Sequence, residues 1–131
     1  MWLPIEAAIE HNRLEVEATE ERHFVRDHGL LESALARPQN AFAYGEEDIV
    51  VLAVRLMAGI AQAHACEQGN KRTAFEAMWH VLRLNGYDLA IEDSETWADP
   101  VIDLIEHRST EEDFARAVRP YVVPQAEIGD G

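Results

Sequence analysis

Residues 46–86 read EEDIVVLAVRLMAGIAQAHACEQGNKRTAFEAMWHVLRLNG, and this stretch decides the fold. Glu46, Glu47 and Asp48 place acid where a helix N-terminus favours it. Ile49, Leu52, Ala53, Leu56, Met57, Ile60 and Ala61 follow at helical spacing, which predicts a helix with one buried stripe. A second helix is predicted over residues 70–85, with Ala74, Phe75, Met78, Trp79 and Leu82 at core spacing and Gly86 as its left-handed stop. Two such helices joined by a short turn form the hairpin around which an all-α domain can be built.

The flanking sequence adds shorter helical signals. Leu3 to His11 reads as an opening helix, with Ile5, Ala8 and Ile9 on one face. Leu30, Leu31, Ala34 and Leu35 predict a helix that ends at Arg37-Pro38, because proline disfavours the helical conformation of the residue before it. The following PQNAFAYG, residues 38–45, reads as a loop or small hairpin. Residues 94–107 are helical, starting late or bending at Pro100. Ser109 with Glu112 forms a capping box for a last helix ending at Arg119-Pro120. The expectation is a compact all-α bundle of roughly six helices. A single domain spans residues 1–121, with a tail over residues 122–131.

Composition bounds the function. The chain has 131 residues, 47% of them hydrophobic, so it can bury one core. Eleven Lys and Arg against 25 Asp and Glu give a formal charge of −14. That charge argues against direct nucleic-acid binding. Cys66 is the single cysteine, which excludes an internal disulfide and a multi-cysteine zinc site. The apolar run over residues 49–65 is broken by Arg55, Gln62 and His64, too polar for a membrane span. The N-terminus, Met1-Trp2-Leu3-Pro4-Ile5-Glu6, lacks a basic leader and a long apolar stretch, so it does not read as a signal peptide and the expected location is the cytoplasm.

The chemistry concentrates at the turn between the two strong helices. Gly69 leads into Asn70, Lys71 and Arg72 at a helix start, where backbone amides without intrahelical acceptors favour anions. Cations in a first turn oppose the helix dipole, a mismatch best explained by an anion bound between them. His64, six residues before Asn70, can face the same site and act as a base near neutral pH. A solvated helix start is the plainer reading of Lys71-Arg72 alone. Gly69-Asn70 before the pair and His64 nearby favour the phosphate site.

His64-x-x-x-x-Gly69-Asn70-Lys71-Arg72-Thr73-Ala74 resembles the Fic/Doc family signature, H-x-F-x-[DE]-x-N-[GK]-R. The Lys71 variant and the short chain point to the Doc (death-on-curing) branch. The segments over residues 29–39 (GLLESALARPQ) and 82–87 (LRLNGY) are also typical of that branch. The resemblance implies an all-α fold and transfer of part of ATP, either AMP or the terminal phosphate, to a hydroxyl of a target protein. A translation elongation factor is the target of Doc-type members. His64 would then be the catalytic base, and Gly69, Asn70, Lys71 and Arg72 would hold the phosphates. Gln39, Asn40, Ala41 and Phe42 would belong to a flap that registers the target. The family's self-inhibitory motif is absent from the chain, so the implied restraint is an antitoxin protein acting in trans.

Two positions depart from the signature. Cys66 stands where the family has Phe, and Gln68 stands where it has the acid that binds Mg²⁺. An amide offers a hard cation an oxygen without charge. A module that keeps the fold and binds nucleotide or a partner, with transfer weakened or lost, is therefore the alternative function.

Overall fold

A computed structural model describes residues 2–18, 27–63, 70–92 and 94–125. Their helices in chain order are α1 (Ile5–Ala18), α2 (His28–Ala43), α3 (Ile49–Ala63), α4 (Asn70–Leu84), α5 (Ala98–Ile105) and α6 (Glu111–Val118). Single 3-10 turns at Ser94–Trp97 and Arg119–Tyr121 precede α5 and follow α6. Two three-residue strands, β1 (Tyr87–Leu89) and β2 (Val122–Pro124), pair antiparallel with Asp88 opposite Val123. The fold is all-α, as the helical periodicity requires.

α3 is the axis of the domain. It packs against α2, α4, α5 and α6. Val50, Leu52, Ala53, Val54 and Leu56 through Ala61 are all buried, so burial goes nearly all the way round rather than along one stripe. Gly59 permits the closest approach: a Cβ there would lie 3.3 Å from the Ala34 backbone on α2. Asp48 starts the helix by accepting hydrogen bonds from the amide of Val50 at 2.9 Å and, more weakly, Val51 at 3.5 Å. α4 ends as expected, with Gly86 at φ +93° and its amide donating to the Arg83 carbonyl.

Four sequence expectations are corrected. α2 does not stop at Pro38 but continues through it to Ala43, so residues 38–43 are helical and not a loop or hairpin. A helix-interior proline costs about 3 kcal/mol, and here burial of Leu31, Ala34, Leu35 and Pro38 on one face outweighs it. Asp27 caps the start of α2 through the Leu30 amide, and the helix ends just before Gly45 at φ +110°. The capping box of α6 is Thr110 with Asp113, one residue later than Ser109 with Glu112; both reciprocal bonds are 3.1 Å. α1 runs past His11 to Ala18, burying Val16 and bracketing Arg13 between Glu10 and Glu17. Val122–Pro124, expected to open a tail, is the strand β2. Pro100 falls in the first turn of α5, where its missing N–H costs nothing.

No helix among the described residues is long and apolar enough to cross a membrane.

Candidate functional site

The described part of α3 ends at Ala63 and α4 begins at Asn70. His64, Cys66, Glu67, Gln68 and Gly69 lie outside the described residues. Asn70, Lys71 and Arg72 form the first turn of α4, with Lys71 and Arg72 exposed and Asn70 half-buried. This turn presents two adjacent guanidinium and ammonium groups beside amides that a helix leaves without intrahelical acceptors.

The turn is fixed from beneath. Thr73, one residue past the cations, is buried, and its Oγ1 accepts a 3.1 Å hydrogen bond from Asn12 Nδ2 on α1. Asn12 is itself fully buried, so this bond satisfies two polar groups that would otherwise be costly in the core. Further along the same seam, His11 Nε2 lies 2.8 Å from His80 Nδ1. Such a bond needs one donating and one accepting ring nitrogen. Burial, and then the neighbouring His80, hold the His11 pKa below its ordinary value. Sequence reading missed Asn12. The signal was present: Ala8, Asn12 and Val16 fall at i, i+4 and i+8 on one helical face, and all three are buried.

Beside the cations, Lys71 and Arg72 share a small cleft with Phe75, Glu95, Trp97 and Val101. The Phe75 and Trp97 rings stack beneath it, centroids 6.2 Å apart and 27° between planes. Its volume of about 90 Å³ is well under the few hundred Å³ that enclose a whole small ligand. Among the described residues this end therefore offers two exposed cations over an apolar floor rather than a closed pocket. No group of three or more potential metal-ligating side chains occurs among the described residues.

The larger space lies elsewhere. A cleft of about 760 Å³ is lined by Trp2, Phe42, Asp48, Asn85, Tyr87 and Arg119, among others. Asn85 follows the last residue of α4, some 20 Å along the helix from Asn70. Gln39, Asn40, Ala41 and Phe42 form the last turns of α2. Phe42 lines this far cleft and packs edge-on against Trp2, centroids 5.8 Å apart. The structure thus brings Asn70, Lys71 and Arg72 together in one turn, while Phe42 lines the far cleft and Asn40 and Ala41 line another beside Arg37 and Arg55.

The arginine of the far cleft is paired with an acid at its wall. Arg119 Nη2 pairs with Asp48 Oδ2 at 2.7 Å. Burial pushes the Asp48 carboxyl up, and the Arg119 and Val50 hydrogen bonds outweigh it and hold it below the usual range. At the start of α4 the exposed Lys71 and Arg72 are adjacent cations in the first turn.

An all-α hairpin whose second helix opens on Asn-Lys-Arg defines a class, and residues 2–82 match the Fic/DOC family. The chain belongs to that family. It is 39% identical over 96 residues to the Toxin Doc of Mycolicibacterium smegmatis (strain ATCC 700084 / mc(2)155), an alignment covering 71% of this chain and 73% of that protein.

Proposed function

We propose that the chain is a Doc-like toxin that transfers a phosphate or AMP from ATP to a Ser, Thr or Tyr hydroxyl of a target protein, with a translation elongation factor as the target class. The observation that carries this reading is the exposed Lys71-Arg72 pair in the first turn of α4, anchored by the Asn12–Thr73 bond. Family membership and the likeness to a protein named Toxin Doc support it.

In this reading Arg72 grips a phosphate oxygen pair with its planar fork, and Lys71 adds a point charge. Gly69 and Asn70 supply backbone amides. His64 takes the proton from the acceptor hydroxyl as its oxygen attacks phosphorus. Attack at the γ phosphorus forms the new P–O bond and releases ADP; attack at the α phosphorus releases pyrophosphate. Mg²⁺, when bound, spreads the charge of the phosphates, and the Gln68 amide oxygen would be its neutral ligand. An antitoxin protein supplies restraint in trans.

The second reading rests on Gln68. With no acid at that place, the chain would bind nucleotide or a partner without efficient transfer. Incubation with a cell lysate and ATP labelled at the α or γ phosphate decides. Protein labelling from γ means phosphorylation, labelling from α means AMP transfer, and no labelling from either defeats the transferase reading.

A further inference from the structure

Three acids precede α3, and two of them serve its start. The Glu46 carboxylate accepts from the Asp48 amide at 3.1 Å, and Asp48 in turn accepts from the amides of Val50 and Val51. Asp48 is also held by Arg119 at two points, Nη2 to Oδ2 at 2.7 Å and Nη1 to Oδ1 at 3.4 Å. Glu47, between these two acids, is exposed and makes no hydrogen bond or ion pair with another described residue. It lines the cleft of about 760 Å³ at the far end of α4. Because Asp48 and Arg119 cancel, the unpaired Glu47 leaves that cleft with one net negative charge.

Much of the remaining wall is aromatic. Trp2 and Phe42 meet edge-on, and Tyr87 lines the same space. The exposed aromatic side chains among the described residues are Phe42, Tyr44 and Tyr121. Each lines this cleft or stands within two positions of a residue that does. Phe42 itself is 53% exposed, so ring surface stays open to a guest. Exposed rings gathered at one place mark a contact surface for another protein. Rings beside an unpaired carboxylate favour a cation, drawn to the rings by their quadrupole and to the acid by its charge.

We propose that this cleft docks a segment of a partner protein that inserts one arginine or lysine side chain beside Glu47 and lays apolar neighbours on Trp2 and Phe42. Charge complementarity selects the occupant, since the cleft is negative and the whole chain carries −14. A phosphate or carboxylate would meet Glu47 while the cleft's arginine is already held by Asp48. A second copy of this chain would bring another −14 to the contact. The indole N–H of Trp2 and the hydroxyl of Tyr87 can donate to carbonyls of the docked segment. None of these residues lines the cleft of Lys71 and Arg72, and the inference does not rest on the transferase reading.

The test is an NMR titration of the full chain, observing the Trp2 indole N–H and the amides of Phe42, Glu47 and Tyr87. The probes are acetyl-Leu-Arg-Leu-amide, its citrulline counterpart, in which a neutral urea replaces the guanidinium, and acetyl-argininamide, all at matched ionic strength. The arginine peptide should shift these signals saturably and bind more tightly than acetyl-argininamide, and the citrulline peptide should leave them unmoved. Glu47→Gln should weaken the arginine peptide several-fold, and Phe42→Ala by about two- to fivefold, the worth of an exposed cation–π contact. Both side chains are exposed, so both variants should fold. Equal binding of the citrulline peptide, equal affinity for acetyl-argininamide, or unchanged affinity in either variant overturns the proposal. Sedimentation of the free chain should show a monomer. A dimer that Phe42→Ala dissociates would put a second copy in the cleft and overturn it too.

Discussion

The two ends of the α3–α4 hairpin offer opposite kinds of surface. Where α4 begins, Lys71 and Arg72 stand exposed over a cleft of only about 90 Å³. Where it ends, a cleft of about 760 Å³ opens, yet its arginine is tied to Asp48. Nearby, Arg83 and the Trp79 indole both bond Asp88. Volume shows where a molecule fits. Cations placed at a helix start show where a polyanion is stabilised, and the proposed function follows the second criterion.

The sharpest way to break this comparison is to remove the base. His64→Ala should lower transfer by about two to four orders of magnitude, the usual contribution of a positioned general base, while leaving ATP affinity and the thermal transition nearly unchanged. Undiminished labelling by this variant would remove His64 from the mechanism. The anion site comes next. Arg72→Ala should weaken ATP binding by about 1.5–3 kcal/mol, the worth of hydrogen bonds to a charged group, and Lys71→Ala by less. Calorimetry giving equal affinities for wild type and both variants would take the phosphate contacts away from this end.

The support beneath the cations can be tested apart from the chemistry. Asn12→Leu leaves the buried Thr73 hydroxyl unpaired and should cost about 1–3 kcal/mol in denaturant unfolding. Adding Thr73→Val should return part of that loss, since no polar group then stays buried alone. A double variant that is the plain sum of the two single losses would contradict the role given to this bond.

A smaller effect is expected from pH. Burial and His80 lower the His11 pKa below its ordinary 6.5, so the unfolded chain takes up that proton first. The stability from a neutral His11 is therefore complete above pH 6.5 and declines as the pH falls below it. Melting temperatures across this range should drop less in His11→Asn than in the wild type. Parallel curves would show that the pair on the α1–α4 seam carries no such linkage.

What the sequence disclosed followed the range of the forces involved. The α3 and α4 signals and the Gly86 stop are local, and they stand in the structure at the expected places. Pro38 misled because its local penalty is overcome by packing of α2 on α3, which no window of neighbours contains. β2 was missed because three residues form a strand only when β1, more than thirty positions earlier, supplies the partners. The α6 cap slipped by one because Ser109 and Thr110 both precede an acid by three residues, and only backbone geometry chooses between them. Of the candidate site, the helix start at Asn70 was legible from Gly69 and the periodicity after it, and Asn70 through Arg72 stand in that first turn. For Gln39 through Phe42 the resemblance implies a flap and the composition a loop; the stretch is helical, and Phe42 lines the cleft at the far end of α4.

The most direct measurement is an amide NMR map of the chain titrated with ATP. Saturable shifts are expected at Asn70, Lys71, Arg72 and Thr73, lost in Arg72→Ala, with Trp2, Phe42, Tyr87 and Arg119 unmoved. Shifts concentrated on those last four residues, and retained in Arg72→Ala, would put the nucleotide in the large cleft and contradict it.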